Sequence, residues 1–132
     1  MNKYRDKSDF EINKAVAVAI GAKPFPPERT EFKQCEIPGL ENAIIVKITG
    51  VKMGPFDPCN NPADAKPIII ENKIAIAFSS NTGKWCAYAW CMMGDRGWDI
   101  YERPTICAFS DNYYRAAMEV FLMMKDAENE KI

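Results

Sequence analysis

Apolar residues recur at helical spacing near the start of the chain, where Ile12, Ala15, Val16, Ala19 and Ile20 fall on one face of a 3.6-residue turn. Ser8 and Glu11 precede them as an S-x-x-E capping box, and Gly21 follows as a natural stop, so a helix is predicted over 9–20. The pattern then lapses. Pro24, Pro26, Pro27 and Pro38 punctuate residues 22–42, which read as one loop, longer than the usual connection. Alternation sets in over 43–52, with Ile44, Val46 and Ile48 on one face and Lys47 and Thr49 on the other, as in a half-exposed strand.

Residues 54–67 (GPFDPCNNPADAKP) are dense in turn formers, and Asn61 before Pro62 reads as an N-cap followed by proline at the first helical position. Ile68, Ile69 and Ile70 fit either a buried strand or a short helix ending near Asn72. The helix is favoured, because Pro67 would interrupt a central ladder yet suits a first helical turn. Residues 74–79 (IAIAFS) and 84–92 (KWCAYAWCM) form a predicted hairpin around Asn81, Thr82 and Gly83. Both of its faces are largely apolar, so both are covered or one is adhesive. Two registers fit: Phe78 opposite Trp85, or a one-residue slip that sets Ile76 beside Tyr88. A turn over 94–97 and a strand over 98–103 follow, and Thr105 to Phe109 extends that strand beyond Pro104. Asp111 or Asn112 caps a last helix over 113–126. Its core stripe is Tyr113, Ala117, Val120, Phe121 and Met124, with Arg115 and Glu119 as an exposed i, i+4 pair and 127–132 as a frayed tail.

These elements make an α+β protein: a small antiparallel sheet of three to four strands, flanked by N-terminal and C-terminal helices, with a short middle helix. The 132 residues suit one domain spanning 1–132, and 48% hydrophobic against 27% charged residues is ordinary globular composition. Charge narrows the function. With 17 Lys plus Arg against 18 Asp plus Glu, bulk attraction to nucleic acid is missing. The absence of histidine removes the usual general base near neutral pH and the commonest metal ligand. No catalytic residue is assigned, and no cofactor or metal is expected. An enzyme working through Asp, Glu, Lys or Tyr is the remaining catalytic option, and nothing pairs two carboxylates convincingly.

Cys35, Cys59, Cys86, Cys91 and Cys107 contain no C-x-x-C pair. On a strand, Cys86 and Cys91 point to opposite faces and cannot hold one ion. The cysteines read as free thiols filling apolar space. Cys35, between Lys33 and Glu36 in the long loop, shows no base that would activate it. Ser79, Ser80 and Ser110 lie in turn contexts without a nucleophile elbow. The opening MNKYRDKSDF has no apolar signal region, and residues 15–20 are too short to span a bilayer, so a cytoplasmic protein is expected.

Two groups stand out as candidate binding residues. Asp57, Asn60 and Asn61, with Asp64 nearby, could gather oxygens about a cation, although turn and cap chemistry explains them better. Tyr88, Trp90, Trp98 and Tyr101, beside Trp85, are residue types that anchor interfaces or stack on bases, with core packing as the favoured competing reading. Met92, Met93, Met123 and Met124 read as core filler.

Three blocks, SDFEINKAVAVAIG, FDPCNNPADAKPIIIENKIAIAF and DNYYRAAMEVFLMM, occur in order and resemble the NinX family, small accessory proteins of lambdoid and related phages. The middle block carries most of the likeness. Tyr113 stands where the family commonly has proline after Asn, which leaves the helix intact. A more remote similarity is to small phage α/β sandwich domains. The resemblance implies a phage origin, action in the cytoplasm of an infected bacterium and a helix before Ile74; it transfers no catalytic position. The expected function is a non-enzymatic accessory protein that binds and modulates a host or phage protein. A nucleotide or other small-molecule binder is the alternative. Single-stranded nucleic-acid binding in phage recombination comes third, since the near-zero charge argues against it. A homodimer would follow from an open sheet face or edge.

Overall fold

The computed structural model describes residues 2–26, 28, 30–89 and 106–130. Helix α1 (Asp9–Ala19) begins where Ser8 accepts a hydrogen bond from the Glu11 amide at 3.1 Å. It ends in a Schellman arrangement, with Ala22 N–H on Ala17 O at 2.9 Å, Gly21 N–H on Val18 O at 3.2 Å, and Gly21 at φ 83°. Its buried face is Ile12, Asn13, Val16 and Ala17, so Ala19 of the expected stripe lies outside and a polar residue lies within.

Strands β1 (Lys23–Pro24), β2 (Ile44–Ile48) and β3 (Lys52–Phe56) form an antiparallel sheet in the order β1-β2-β3. Here three expectations are corrected. The long strand over 43–52 is two strands, because the chain reverses through 49–51 with Gly50 at φ 77°. The turn-forming stretch from Gly54 begins inside a strand, where Pro55 is tolerated because β3 is an edge. Residues 22–42 are not wholly loop: β1 pairs with β2, and Cys35 N–H donates to Ala43 O at 2.8 Å beside a Gln34–Ile44 bridge. Long connections gain order when their main-chain groups find a ladder, and prolines between the pairing points do not prevent it.

Helix α2 (Pro62–Glu71) is capped by Asn61, whose side chain accepts from Ala63 N–H at 3.0 Å. Pro67 is its sixth residue, so it sits within the helix rather than in the first turn. Burial of Ala65 and Ile68 offsets the lost ladder bond. Strands β4 (Ala75–Ser79), β5 (Lys84–Ala89) and β6 (Ile106–Ser110) form a second antiparallel sheet, β4-β5-β6. The register sets Phe78 opposite Trp85, Ile76 opposite Ala87 and Ala75 opposite Tyr88, which decides between the two predicted pairings. The fold is α+β, and among the described residues its strands divide into two three-stranded sheets. The predicted turn over 94–97 and strand over 98–103 lie outside the described residues.

Helix α3 (Tyr113–Glu130) takes Asn112 as its cap, with Asn112 Oδ1 accepting from the amides of Tyr114 at 2.9 Å and Arg115 at 3.2 Å. Asn112→Ala is expected to cost about 1 kcal/mol, read as a lowered denaturant midpoint with an unchanged slope. Residues 127–130, expected as a frayed tail, continue the helix, which a Lys125–Glu128 ion pair at 3.3 Å supports. The helix packs against β5 and β6 and against α1 and α2, and buries Ala116, Ala117, Met118, Val120, Phe121 and Leu122. Tyr113, placed in the core stripe, is 38% exposed. The reverse error concerns Arg115 and Glu119, which are buried at 8% and 2% exposure because residues 2–8 fold over that face of the helix. Buried residues from both sheets and all three helices belong to one hydrophobic cluster. Among the described residues, no helix is long and apolar enough to cross a membrane.

Candidate binding cleft

The C-terminal end of α1, the β2–β3 turn, α2 and α3 enclose a cleft of about 420 Å³. Small-ligand and side-chain pockets usually lie between about 300 and 1,000 Å³, so the space is sufficient for recognition. Phe56, Ile68 and Phe121, all buried, form its base, and Ile20 and Ile48 extend the apolar lining. Each follows from its element: Ile48 ends β2 on the inner face, Phe56 ends β3 on that same face, and Ile68 is the inward residue of α2.

The charged residues in the lining are Lys52, Asp64, Glu71 and Lys125. Lys52 Nζ lies 2.7 Å from Asp64 Oδ1, and the other Asp64 oxygen accepts from the Asp57 amide at 2.9 Å. Lys125 sits over the Phe121 ring at 5.5 Å and pairs with Glu128. Val51, at the tip of the β2–β3 turn, lines the cleft while 77% exposed. Ile70 of α2 is 72% exposed and projects from the outer side of the same helix. The sequence carried a usable sign of this: three consecutive isoleucines on a helix are spread over about 200° of its circumference, so they cannot all face one core.

A second polar assembly lies beneath residues 2–8, and sequence periodicity misplaced it. Arg115 donates from Nε to Glu119 and from Nη1 to Asp9, each at 2.6 Å, and from Nη2 to the carbonyl oxygens of Lys7 at 2.6 Å and Tyr4 at 3.0 Å. Glu119 also accepts from Asn2 at 2.6 Å, and the Tyr4 hydroxyl donates to Asp126. Burial alone would weaken the hold of Arg115 on its proton. Hydrogen bonds to Asp9 and Glu119 outweigh it, so the guanidinium stays above its ordinary value. Burial, then the hydrogen bond to Asp126, raises Tyr4. With its fork spent on carboxylates and carbonyls, Arg115 ties the N-terminal segment to α3 and offers a substrate no free donor pair.

The residues of the sequence-predicted oxygen cluster bond to one another and to their neighbours. Asp57 is buried, with Oδ1 accepting from Asn13 at 2.7 Å and Asn60 at 3.1 Å. Asn13 also donates to Asn42 O at 2.8 Å and accepts from the Cys59 amide at 3.1 Å, which explains a buried asparagine in α1. Asn60 accepts from Asn112 at 2.8 Å, linking this corner to the cap of α3, while Asn61 caps α2. Among the described residues, no group of three or more His, Cys, Asp or Glu could hold a metal ion.

Of the predicted aromatic set, Tyr88 is half-buried on β5, and Trp90, Trp98 and Tyr101 lie outside the described residues. Trp85 instead joins an edge-to-face row: Phe78 to Trp85 at 5.3 Å, Trp85 to Tyr113 at 5.1 Å and Tyr113 to Tyr114 at 5.0 Å. Cys35 and Cys59 are buried fillers as expected, and burial, with the charge of Asp9 adding to it, pushes the Cys59 thiol up. Cys107 departs from that expectation, because its position on β6 leaves it exposed.

The family model described as Bacteriophage P22, NinX matches residues 3–125, nearly the whole chain, and takes in all the elements lining the cleft. No curated protein and no solved structure matches the chain. The chain therefore belongs to the NinX family of phage proteins.

Proposed function

We propose that the protein is a non-enzymatic accessory factor that binds a host or phage protein in the cytoplasm of the infected bacterium and modulates it, receiving apolar side chains of that partner in the α1–α2–α3 cleft. The observation that carries this reading is an apolar cleft whose rim residue Val51 is 77% exposed. Large exposed apolar residues beside a formed hollow are the usual mark of an interaction site. The distribution of polar groups agrees with recognition, since the buried charged residues Arg115, Glu119, Asp57 and Asp64 are engaged with one another, with neighbouring polar side chains or with main chain.

Affinity capture from host lysate tests it. The wild-type chain should retain one dominant partner, and Val51→Asp should lose at least about ten-fold of it, as a charge set in an apolar contact costs more than about 1.4 kcal/mol. Val51 lies in an exposed turn, so melting should shift by no more than a degree or two. Equal retention by the variant would contradict the reading. A second reading, a small-molecule binder, is favoured by the volume of the cleft alone. It predicts a raised melting temperature with a nucleotide panel, and no shift at millimolar ligand dismisses it.

A further inference from the structure

We infer that Cys86 and Cys107 form a two-thiolate site for a soft monovalent cation, Cu(I), on the second sheet. The site shares no residue with the cleft and goes beyond the proposed function. In the β5–β6 ladder Cys86 stands opposite Phe109 and Tyr88 opposite Cys107. Directly opposed residues share a face, and so do residues two apart, so both sulfurs leave the sheet on the same side as diagonal neighbours. On β4, the residue opposite Cys86 is Ala77, which is exposed and too small to cover it. Cys107 is exposed and Cys86 half-buried, so solvent and ions have a way in.

Spacing selects the chemistry. Diagonal neighbours on adjacent strands have Cα atoms about 7–8 Å apart. That is at or beyond the limit of about 7 Å for a disulfide without backbone movement. A bridging ion suits it better, since metal–sulfur bonds of about 2.3 Å hold two sulfurs roughly 4–4.6 Å apart. Zn(II) prefers four ligands, and no three-ligand group of the required types occurs among the described residues. Thiolate pairs select softer ions, of which Cu(I) accepts two ligands in line. The thiols already sense each other: burial raises the Cys86 thiol, and the charge of Cys107 raises it further. A cation placed between them reverses that opposition. On binding, two S–H bonds break, two Cu–S bonds form, two protons go to solvent, and neither copper nor sulfur changes oxidation state.

Anaerobic titration against a chromophoric Cu(I) chelator tests the site. The wild-type chain should withdraw one Cu(I) per molecule. Cys86→Ser and Cys107→Ser should each weaken binding about 100-fold or more, the gain expected from joining two ligands on one scaffold. Cys35→Ser should behave as wild type. Should Cys86→Ser fail to fold, the exposed Cys107 variant decides alone. Undiminished binding in Cys107→Ser, or a wild-type chain that cannot compete with the chelator, overturns the inference. So does quantitative Cys86–Cys107 disulfide under mild oxidant, which would place the sulfurs in direct bonding reach.

Discussion

Replacement of Arg115 by Met is expected to lower the stability of the protein by about 3–5 kcal/mol. The guanidinium is the only cation in contact with both Asp9 and Glu119 among the described ion pairs, and it also satisfies the Tyr4 and Lys7 carbonyls. Removing it leaves the Glu119 carboxylate, whose side chain is 3% exposed, without its charge partner. That desolvation cost exceeds anything recovered by packing the methionine. Domains of this size are stable by about 5–15 kcal/mol, so at least about a fifth of the total would go. Arg115→Lys keeps the charge but cannot hold two carboxylates and two carbonyls at once, so it should recover roughly half. The combined Arg115→Met and Glu119→Leu variant should lose less than the sum of the two single changes, because no charge is then stranded. Urea denaturation of the wild type and these four variants measures all of this, and a loss under 1 kcal/mol for Arg115→Met would show the network to be incidental.

Phe56→Ala is the second large effect, at about 3–5 kcal/mol. Phe56 is 2% exposed, ends β3 opposite Ile44, and forms part of the base of the cleft. It lines the cleft together with Ile68 of α2 and Phe121 of α3, so truncation both loses buried area and deepens the hollow. Because the new space opens to the cleft rather than being sealed, water can enter and the cost should fall in the lower half of that range. The same variant should bind a partner more weakly than its stability explains, since the surface against which side chains pack has withdrawn. Phe56→Leu, which keeps most of the volume, should restore partner retention and most of the stability.

Much of this architecture was legible because local signals agreed with the tertiary outcome. The Ser8 cap, the Gly21 stop, the Asn61–Pro62 start and the Asn112 cap are short-range chemistry, and each appears where the spacing placed it. The β2–β3 hairpin was hidden because Thr49 and Val51 are strand formers and Gly50 stands between them without the Asn or Asp that marks a tight turn. Arg115 and Glu119 read as surface because an i, i+4 ion pair is common on exposed helices, and nothing local reveals that residues 2–8 cross over them. The cleft was illegible for the same reason: Ile20, Ile48, Ile68 and Phe121 meet only through contacts distant in sequence. The Asp57 and Asn60 cluster shows the converse, since residues that attract a metal reading were already bound to Asn13 and Asn112.

Site-directed photo-crosslinking in infected or host lysate tests the binding cleft most directly. A photoreactive residue at position 51, on the rim, and another at position 47, on the outer face of β2, sample two surfaces of one sheet. The partner should crosslink at 51 and not at 47, and unlabelled wild-type protein in excess should abolish the product. Equal crosslinking from both positions, or a product at 47 alone, would contradict the assignment of the cleft as the recognition surface.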